Sequence, residues 1–431
     1  MAIKATRFRW VIVVLLFFST TIVYFDRVIL GILAPRLEEL FGWSEQQYGY
    51  IVFAFQLSYA IGPFIAGYII DRLGTRKGFS LAVIVWTLAS LSHAFARSWV
   101  GFALARLGLG IGQSGNFPAS IKIISEWFPK KERAFATGLF NGGSNMGQVF
   151  APLMIPVIIF LFIYWQYVFV FSAFLSGLWL MAWLFLFSTP EKSRFVNSRE
   201  LEYINSDQAE KEDIKISWKK IVTFRQTWVV CLGKLFADPV WYFYLFWGAK
   251  FLHSKFGINL TELALPLVTI YVVAYGGGIA GGAISSRLLK KGKSANFSRK
   301  MTMLGSAVLV LPVMIVPFIH SLYGCVALIA LAAAAHNSWS ANIFTVASDL
   351  FPRKAVGSVI GLSTTVGSFG GMITALLIGY ILDEAGLGGY VFPFVIFSFG
   401  YLIGLFIIHR LSPNFDPVKP ESLENVNPSP F

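Results

Sequence analysis

The stretch Gly67-Tyr-Ile-Ile-Asp71-Arg72-Leu-Gly74-Thr-Arg76-Lys77 sits at the end of one long apolar run and just before the next. It reads as a short, charged turn between two membrane helices. The runs on either side must then each cross about 30 Å of hydrocarbon, which takes about 20 apolar residues in an α-helix.

Such runs recur along the whole chain. Of its 431 residues, 56% are hydrophobic and 13% charged, a balance that does not fit a soluble surface and indicates an integral membrane protein. Twelve spans are expected, over residues 10–33, 48–70, 79–96, 99–123, 135–161, 166–187, 227–251, 265–287, 300–319, 322–346, 357–382 and 390–409. The expected fold class is therefore an all-α membrane protein.

The net charge of +13 does not point to nucleic acid, because the basic residues are dispersed over alternate loops and not gathered on one face. Lys4, Arg7 and Arg9 precede the first span; Arg72, Arg76 and Lys77 follow the second; Lys130, Lys131 and Arg133 follow the fourth. Arg287, Lys290, Lys291, Lys293, Arg299 and Lys300 lie between the eighth and ninth, while Glu38, Glu39, Glu45, Asp383 and Glu384 fall on the other side. Both termini are expected in the cytoplasm, with a bacterial inner membrane as the setting. The first apolar run is too long for a signal peptide and lacks a small-residue cleavage site, so it counts as a span. Cys231 and Cys325 fall inside spans, which argues against a disulfide framework.

The longest polar segment, residues 188–226, carries mixed charge, including Glu191, Lys192, Arg199, Glu200, Glu210, Lys211, Glu212 and Asp213, and separates six spans from six. The expected organisation is an N-terminal bundle over 1–187, a cytoplasmic linker over 188–226, a C-terminal bundle over 227–410 and a cytoplasmic tail over 411–431. The halves repeat each other. Ser125-Glu-Trp-Phe-Pro-Lys-Lys131 follows the fourth span and Ser348-Asp-Leu-Phe-Pro-Arg-Lys354 the tenth, with Gly138 and Gly361 at matching distances beyond. Gly67-x-x-x-Asp71-Arg72 has a worn echo in Gly282-x-x-x-Ser286-Arg287. Repeated halves imply two bundles around a central cavity with a binding site near the bilayer midplane.

The spacing Gly-x-x-x-Asp-Arg-x-Gly-x-Arg-Lys resembles the signature loop of the major facilitator superfamily, with every expected position filled. The resemblance implies two pseudo-symmetric six-helix bundles. It also implies a close helix approach at Gly67, a capping or pairing role for Asp71, and structural or gating roles for Arg72, Gly74 and Arg76.

A charge at the centre of a membrane helix costs about 2.5–3.5 kcal/mol on insertion scales, so each needs a partner, water or a function. Asp26 and Arg27 lie in the first span, and adjacent helical residues point about 100° apart, so they cannot simply neutralise each other. Arg106 lies in the fourth span, and Tyr59 near the middle of the second, where its hydroxyl needs a partner or water. The stretches Tyr24-x-Asp26-Arg27 and Arg106-Leu-Gly-Leu-Gly-Ile-Gly-Gln113-x-x-Asn116-Phe-Pro118 resemble the anion:cation symporter branch. Asp238-Pro-Val-Trp-Tyr-Phe-Tyr244, Ala335-His336-Asn337-x-Trp339-Ser-Ala-Asn342 and Phe351-Pro-Arg-Lys-Ala-Val-Gly357 are similar to its hexuronate transporter group.

That resemblance implies proton coupling by Asp26 and substrate-carboxylate binding by Arg27 and Arg106. A Glu seven residues after the fourth-helix Arg also acts in coupling in that family. Here the position is Gln113, two turns from Arg106 on the same face, and Gln113 is counted with Tyr59 among the expected substrate-binding residues. An amide cannot titrate. Coupling is then expected to fall on Asp26 alone, or another ion to replace the second proton.

Two Arg against one Asp leave surplus positive charge, and a planar guanidinium suits a carboxylate's two oxygens, so an organic anion is the expected substrate class. Asn141, Asn145 and Gln148 recur on the fifth span at helical spacing, with Thr364 and Ser368 at repeat-related positions of the eleventh; these can serve hydroxyls or bond between helices. Trp241 offers an aromatic face, Tyr24 and Asn337 and Asn342 further contacts. Lys234 and Asp238 are spaced for an intrahelical pair or for ion coupling. His336 can make a local hydrogen bond or relay a proton. His93, His253, His320 and His409 sit near span ends without metal spacing, and no Gly-rich nucleotide loop precedes a helix, so neither metal nor cofactor is expected.

The expected protein is not an enzyme but a monomeric secondary transporter. It imports a sugar-acid monocarboxylate, a hexuronate or related aldonate, by symport with H+ (Na+ being the other candidate) through alternating access. The alternatives are a carrier of a dicarboxylate or phosphate ester, or a membrane sensor that binds the same ligand without moving it. A sensor would need an output domain larger than the 188–226 linker.

Overall fold

A computed structural model of the chain describes residues 6–206 and 218–419. Lys4, the linker charges Glu210, Lys211, Glu212 and Asp213, and the tail from 420 onward lie outside the described residues. Every regular element among the described residues is helical. In order they are α1 (Phe8–Phe41), α2 (Glu45–His93), α3 (Trp99–Gln113), α4 (Asn116–Trp127), α5 (Lys130–Phe162), α6 (Gln166–Leu186), α7 (Ser198–Asn205), α8 (Trp218–Ile221), α9 (Arg225–Phe256), α10 (Leu260–Lys290), α11 (Ala295–Val310), α12 (Leu322–Leu350), α13 (Arg353–Ala385) and α14 (Val391–Leu411). A 3-10 segment, Leu311–Phe318, lengthens α11 to a full span.

Nine helical stretches among the described residues are long and apolar enough to cross a membrane. Continuity accounts for the difference from the twelve expected spans. Helix α2 carries the second and third spans, and Ala355–Leu411 carries the last two as one stretch. The fourth span is interrupted at Ser114 and Gly115 into α3 and α4, each too short to qualify alone.

The turn at 67–77 is present, folded as a kink within α2. Gly74 takes φ 77° and ψ 161°, a conformation that only a residue without Cβ enters at low cost. Asp71 accepts from Lys122 Nζ at 2.5 Å, Arg76 donates to the Leu184 carbonyl at 2.5 Å, and Arg72 lies over the Tyr68 ring at 4.6 Å. A Cβ on Gly67 would meet no atom within 4 Å, so the close approach expected there is made instead by Gly78, whose Cβ would stand 2.7 Å from Ile70 Cα. The repeated Ser-acid-x-Phe-Pro stretches also acquire a physical role. Glu126 accepts from Thr75 Oγ1 at 2.9 Å, and its counterpart Asp349 from Arg299 Nε at 2.9 Å. In each half the acid ties the end of one helix back to an earlier one, Glu126 to α2 just past its kink and Asp349 to α11 near its start.

The chain divides into two compact units, Met1–Lys211 with Leu260–Val268, and Glu212–Asn259 with Thr269–Phe431. In the first, α1 packs along α5, and α2 along α3 and α6. Helix α5 can seat on α1 because Gly147 has no side chain. A Cβ there would stand 2.9 Å from Phe25 N and 2.9 Å from Tyr24 Cβ. Overpacking of this kind costs about 1–3 kcal/mol. Gly147→Ala is expected to lower the midpoint of thermal unfolding in detergent, while Gly142→Ala, whose Cβ would make an ordinary 3.8 Å contact with Phe17, leaves it unchanged.

The start of the expected linker belongs to this unit. Glu200 of α7 is wholly buried and accepts from the Phe8 and Arg9 backbone N–H groups at 3.0 and 3.2 Å and from Arg9 NH1 at 3.0 Å. It therefore caps the first turn of α1 with a negative charge where the helix dipole favours one. Arg9 also reaches Glu132 of α5 at 2.9 Å.

In the second unit, α9 packs against α12, α13 and α14. The start of the expected tail is likewise seated on folded structure. Lys300 Nζ donates to the Ser412 and Pro413 carbonyls at 2.8 and 2.6 Å, and Val418 N–H donates to the Leu350 carbonyl at 2.8 Å.

Candidate functional site

The intramembrane charges foreseen on the first and fourth spans come together in the first unit. Asp26 and Arg27 of α1 are 1% and 4% exposed, and Arg106 of α3 is 0% exposed. Asp26 Oδ1 accepts from Ser90 Oγ at 3.1 Å and from the Ser172 hydroxyl, while Oδ2 accepts from Gln113 Nε2 at 3.3 Å. The other end of the same amide, Gln113 Oε1, accepts from Arg27 Nε at 3.2 Å. Neighbours along α1 point apart, as helical geometry requires, and a side chain from α3 joins them. With nitrogen toward the acid and oxygen toward the base, the amide satisfies both.

Arg27 also lies among aromatic faces. Its guanidinium carbon is 4.2 Å from the Tyr59 ring centroid, 4.6 Å from Tyr24 and 5.5 Å from Phe55. Cation–π attraction at desolvated sites is worth about 2 kcal/mol or more. The half-buried Tyr24 and the buried Tyr59 thus lie against Arg27.

Arg106 differs from its neighbour. Its Nε, NH1 and NH2 have no hydrogen-bond partner among the described residues. Its guanidinium carbon lies 5.8 Å from the Phe55 ring. A guanidinium carries five N–H donors and no acceptor, and a buried unpaired polar group costs about 1–3 kcal/mol, more when charged. Folding would not select such a group for stability. Its donors are disposed to receive an anion.

The remaining expected site residues divide between the units. On α5, Gln148 is buried, Asn145 half-buried and Asn141 exposed, on a helix seated beside Tyr24 through Gly147. Asn116 of the same motif is structural, donating to Thr20 at 3.0 Å and accepting from Ser19 at 3.0 Å. In the second unit Trp241 stacks on His336 at 5.0 Å and 11° between planes, and His336 Nδ1 lies 2.8 Å from the Tyr401 hydroxyl. Asn342 donates to the Ser338 carbonyl at 2.9 Å, while Asn337 of α12 and Thr364 of α13 are half-buried. Lys234 and Asp238 form the intrahelical pair at 2.9 Å.

Sequence reasoning missed Ser90 and Ser172, which hold Asp26, Phe55, which faces both Arg27 and Arg106, and Gln56, a wholly buried amide. No signal in the chain marks these serines. Other membrane serines, such as Ser58 bonded to the Phe55 carbonyl at 3.0 Å, merely satisfy their own helix.

The chain is 30% identical over 436 residues, covering 99% of both chains, to the hexuronate transporter of Escherichia coli K12. It is 34% identical over 285 residues, 65% of this chain and 82% of the other, to the galacturonate transporter of Dickeya chrysanthemi. Its fold matches the crystal structure of a bacterial homologue of the human lysosomal transporter Spinster, in an inward-facing and occupied conformation, with a TM-score of 0.77 at 19% identity over 97% of this chain and 100% of that one. The Major Facilitator Superfamily profile matches residues 16–375 and 293–430. The membrane-length helices among the described residues, the 67–77 turn and this match over most of the chain give one result: it is an integral membrane transporter, not an enzyme, and belongs to the Major Facilitator Superfamily.

Proposed function

We propose that the protein imports a sugar-acid monocarboxylate, a hexuronate or related aldonate, by proton-coupled symport. The observation that carries this reading is Arg106, a fully buried guanidinium whose three nitrogens have no hydrogen-bond partner among the described residues. A carboxylate, with two oxygens in one plane, complements it bidentately. Arg27 is already engaged by Gln113 and by aromatic faces, so the open donor set suits one carboxylate better than a phosphate ester, which would call on more cations. Relatives named for hexuronate and galacturonate transport, one of them matching over 99% of the chain, support the same class.

In this reading Arg106 binds the carboxylate and Arg27 supports it. Tyr24, Tyr59, Asn141, Asn145, Gln148, Trp241, Asn337, Asn342 and Thr364 are the further residues assigned to substrate contact. Asp26 exchanges the coupling proton, and Gln113 transmits its charge state to Arg27. The halves act as two six-helix bundles in alternating access, in the bacterial inner membrane, as a monomer with both termini in the cytoplasm and with Asp71, Arg72, Gly74 and Arg76 bracing the cytoplasmic side.

Counterflow in proteoliposomes tests the substrate class. Vesicles loaded with unlabelled D-galacturonate are expected to accumulate labelled D-galacturonate, and D-glucuronate to compete, while D-galactose has no effect. Competition by the neutral sugar equal to that of the acid would overturn the reading.

A further inference from the structure

His93 ends α2 and is wholly buried. Its Nδ1 lies 2.7 Å from the Ala89 carbonyl oxygen, which can only accept, so Nδ1 carries hydrogen and the neutral ring leaves Nε2 as an acceptor. Nε2 has no hydrogen-bond partner among the described residues. The ring stacks on Phe169 of α6 at 4.8 Å and meets Phe102 of α3 edge-on at 5.9 Å.

Each of these three residues lies one helical turn from a member of the site. Ser90 is three residues before His93, Ser172 three after Phe169, and Arg106 four after Phe102. Both serines donate to Asp26. Residues three or four apart share a helix face, so α2, α3 and α6 together set His93 in a layer adjoining Asp26 and Arg106, about 5 Å along the helices. The charged group that reaches the ring is Arg106 of α3, with Tyr48 of α2 and Asp26 of α1 near Arg106 in turn; α6 contributes Phe169 and Ser172, which do not titrate.

We propose that His93 is a second proton-carrying group of the transporter, taking a proton on Nε2 when a substrate carboxylate occupies Arg106. The inference rests on the sugar-acid reading above. A proton on Nε2 beside an unneutralised guanidinium makes a like-charge pair buried in low dielectric. A carboxylate on Arg106 changes that into an anion between two cations. Substrate and proton then strengthen each other's binding by the same factor, as linkage requires. One N–H bond forms at Nε2 with a proton from solvent and breaks when the substrate leaves. The second titratable side chain that Gln113 does not supply would thus come from α2.

Titration calorimetry of D-galacturonate into the purified full-length protein, in buffers of different ionisation enthalpy, counts protons taken up per substrate bound. The wild type is expected to take up more protons than His93→Gln, by up to one per substrate, with galacturonate still bound by the variant; Asp26→Asn is expected to keep the His93 contribution. Equal counts in wild type and His93→Gln, or no uptake in the wild type, would overturn the proposal. Absence of galacturonate binding by the wild type would instead remove the sugar-acid reading, and this inference with it. Should His93→Gln not fold, a chain with His253, His320, His336 and His409 changed to Gln and ring-labelled His93 provides the readout. An imidazolium band is expected in infrared difference spectra on adding galacturonate, and its absence counts against the proposal.

Discussion

Replacing Arg106 by Ala is expected to abolish uptake of D-galacturonate, while Arg106→Met leaves the ligand-free protein at least as stable as the wild type. The two effects run in opposite directions because the side chain is poorly satisfied until a ligand arrives. It is 0% exposed and its three nitrogens lack hydrogen-bond partners among the described residues. Truncating one partner of a buried, hydrogen-bonded charge pair costs about 2–5 kcal/mol, equivalent to about 30-fold to several thousand-fold in affinity. Replacing a buried charge by an apolar group of similar volume, by contrast, is often neutral or stabilising. Methionine serves the stability measurement because alanine would also open a cavity. Arg106→Lys keeps the charge but not the two parallel N–H bonds, so it should not restore wild-type affinity. Normal uptake by the Ala variant would remove the carboxylate assignment, and a large drop in the Met variant's unfolding temperature would mean that the guanidinium supports the fold.

Asp26→Asn is expected to cut accumulation of substrate against its gradient sharply, leaving only what the His93 proton can drive, while counterflow continues. The substitution keeps the shape of the network. The new amide oxygen can accept from Gln113 Nε2, and its NH2 can donate to Ser90 and Ser172, whose hydroxyls accept as readily as they donate. What it removes is the proton. Counterflow exchanges substrate for substrate without net proton movement, so it isolates binding and conformational cycling from coupling. Retention of full uphill transport by this variant would move the coupling proton elsewhere, and loss of counterflow as well would give Asp26 a direct part in binding.

The spans, the repeat and the buried charges were legible in the sequence because each is a local signal. Twenty apolar residues, a turn of fixed spacing or a charge between apolar neighbours can be recognised without knowing what lies across the bundle. The pairing of Lys234 with Asp238 is of the same kind, one turn apart on one helix. The partners of Asp26 were not legible, since Ser90 and Ser172 lie 64 and 146 residues away and resemble serines that bond only to their own helix. Gln113 was recognised as a departure from the family pattern, but its bridging contact depends on the packing of α3 against α1. Gly74 and its charged neighbours marked a turn, and the positive φ of that glycine redirects the chain there, with helical hydrogen bonding on both sides. Glu200 was assigned to a linker on polarity alone, which does not reveal that a carboxylate can be drawn inside by the exposed N–H groups of a helix start.

A planar amide held by an anion at one end and a cation at the other has no slack. In the proposed cycle, discharging Asp26 weakens one of its two moorings, and the change passes through the amide to Arg27 and the rings around it. A carboxylate at that position could respond by ionising; an amide can respond only by tilting.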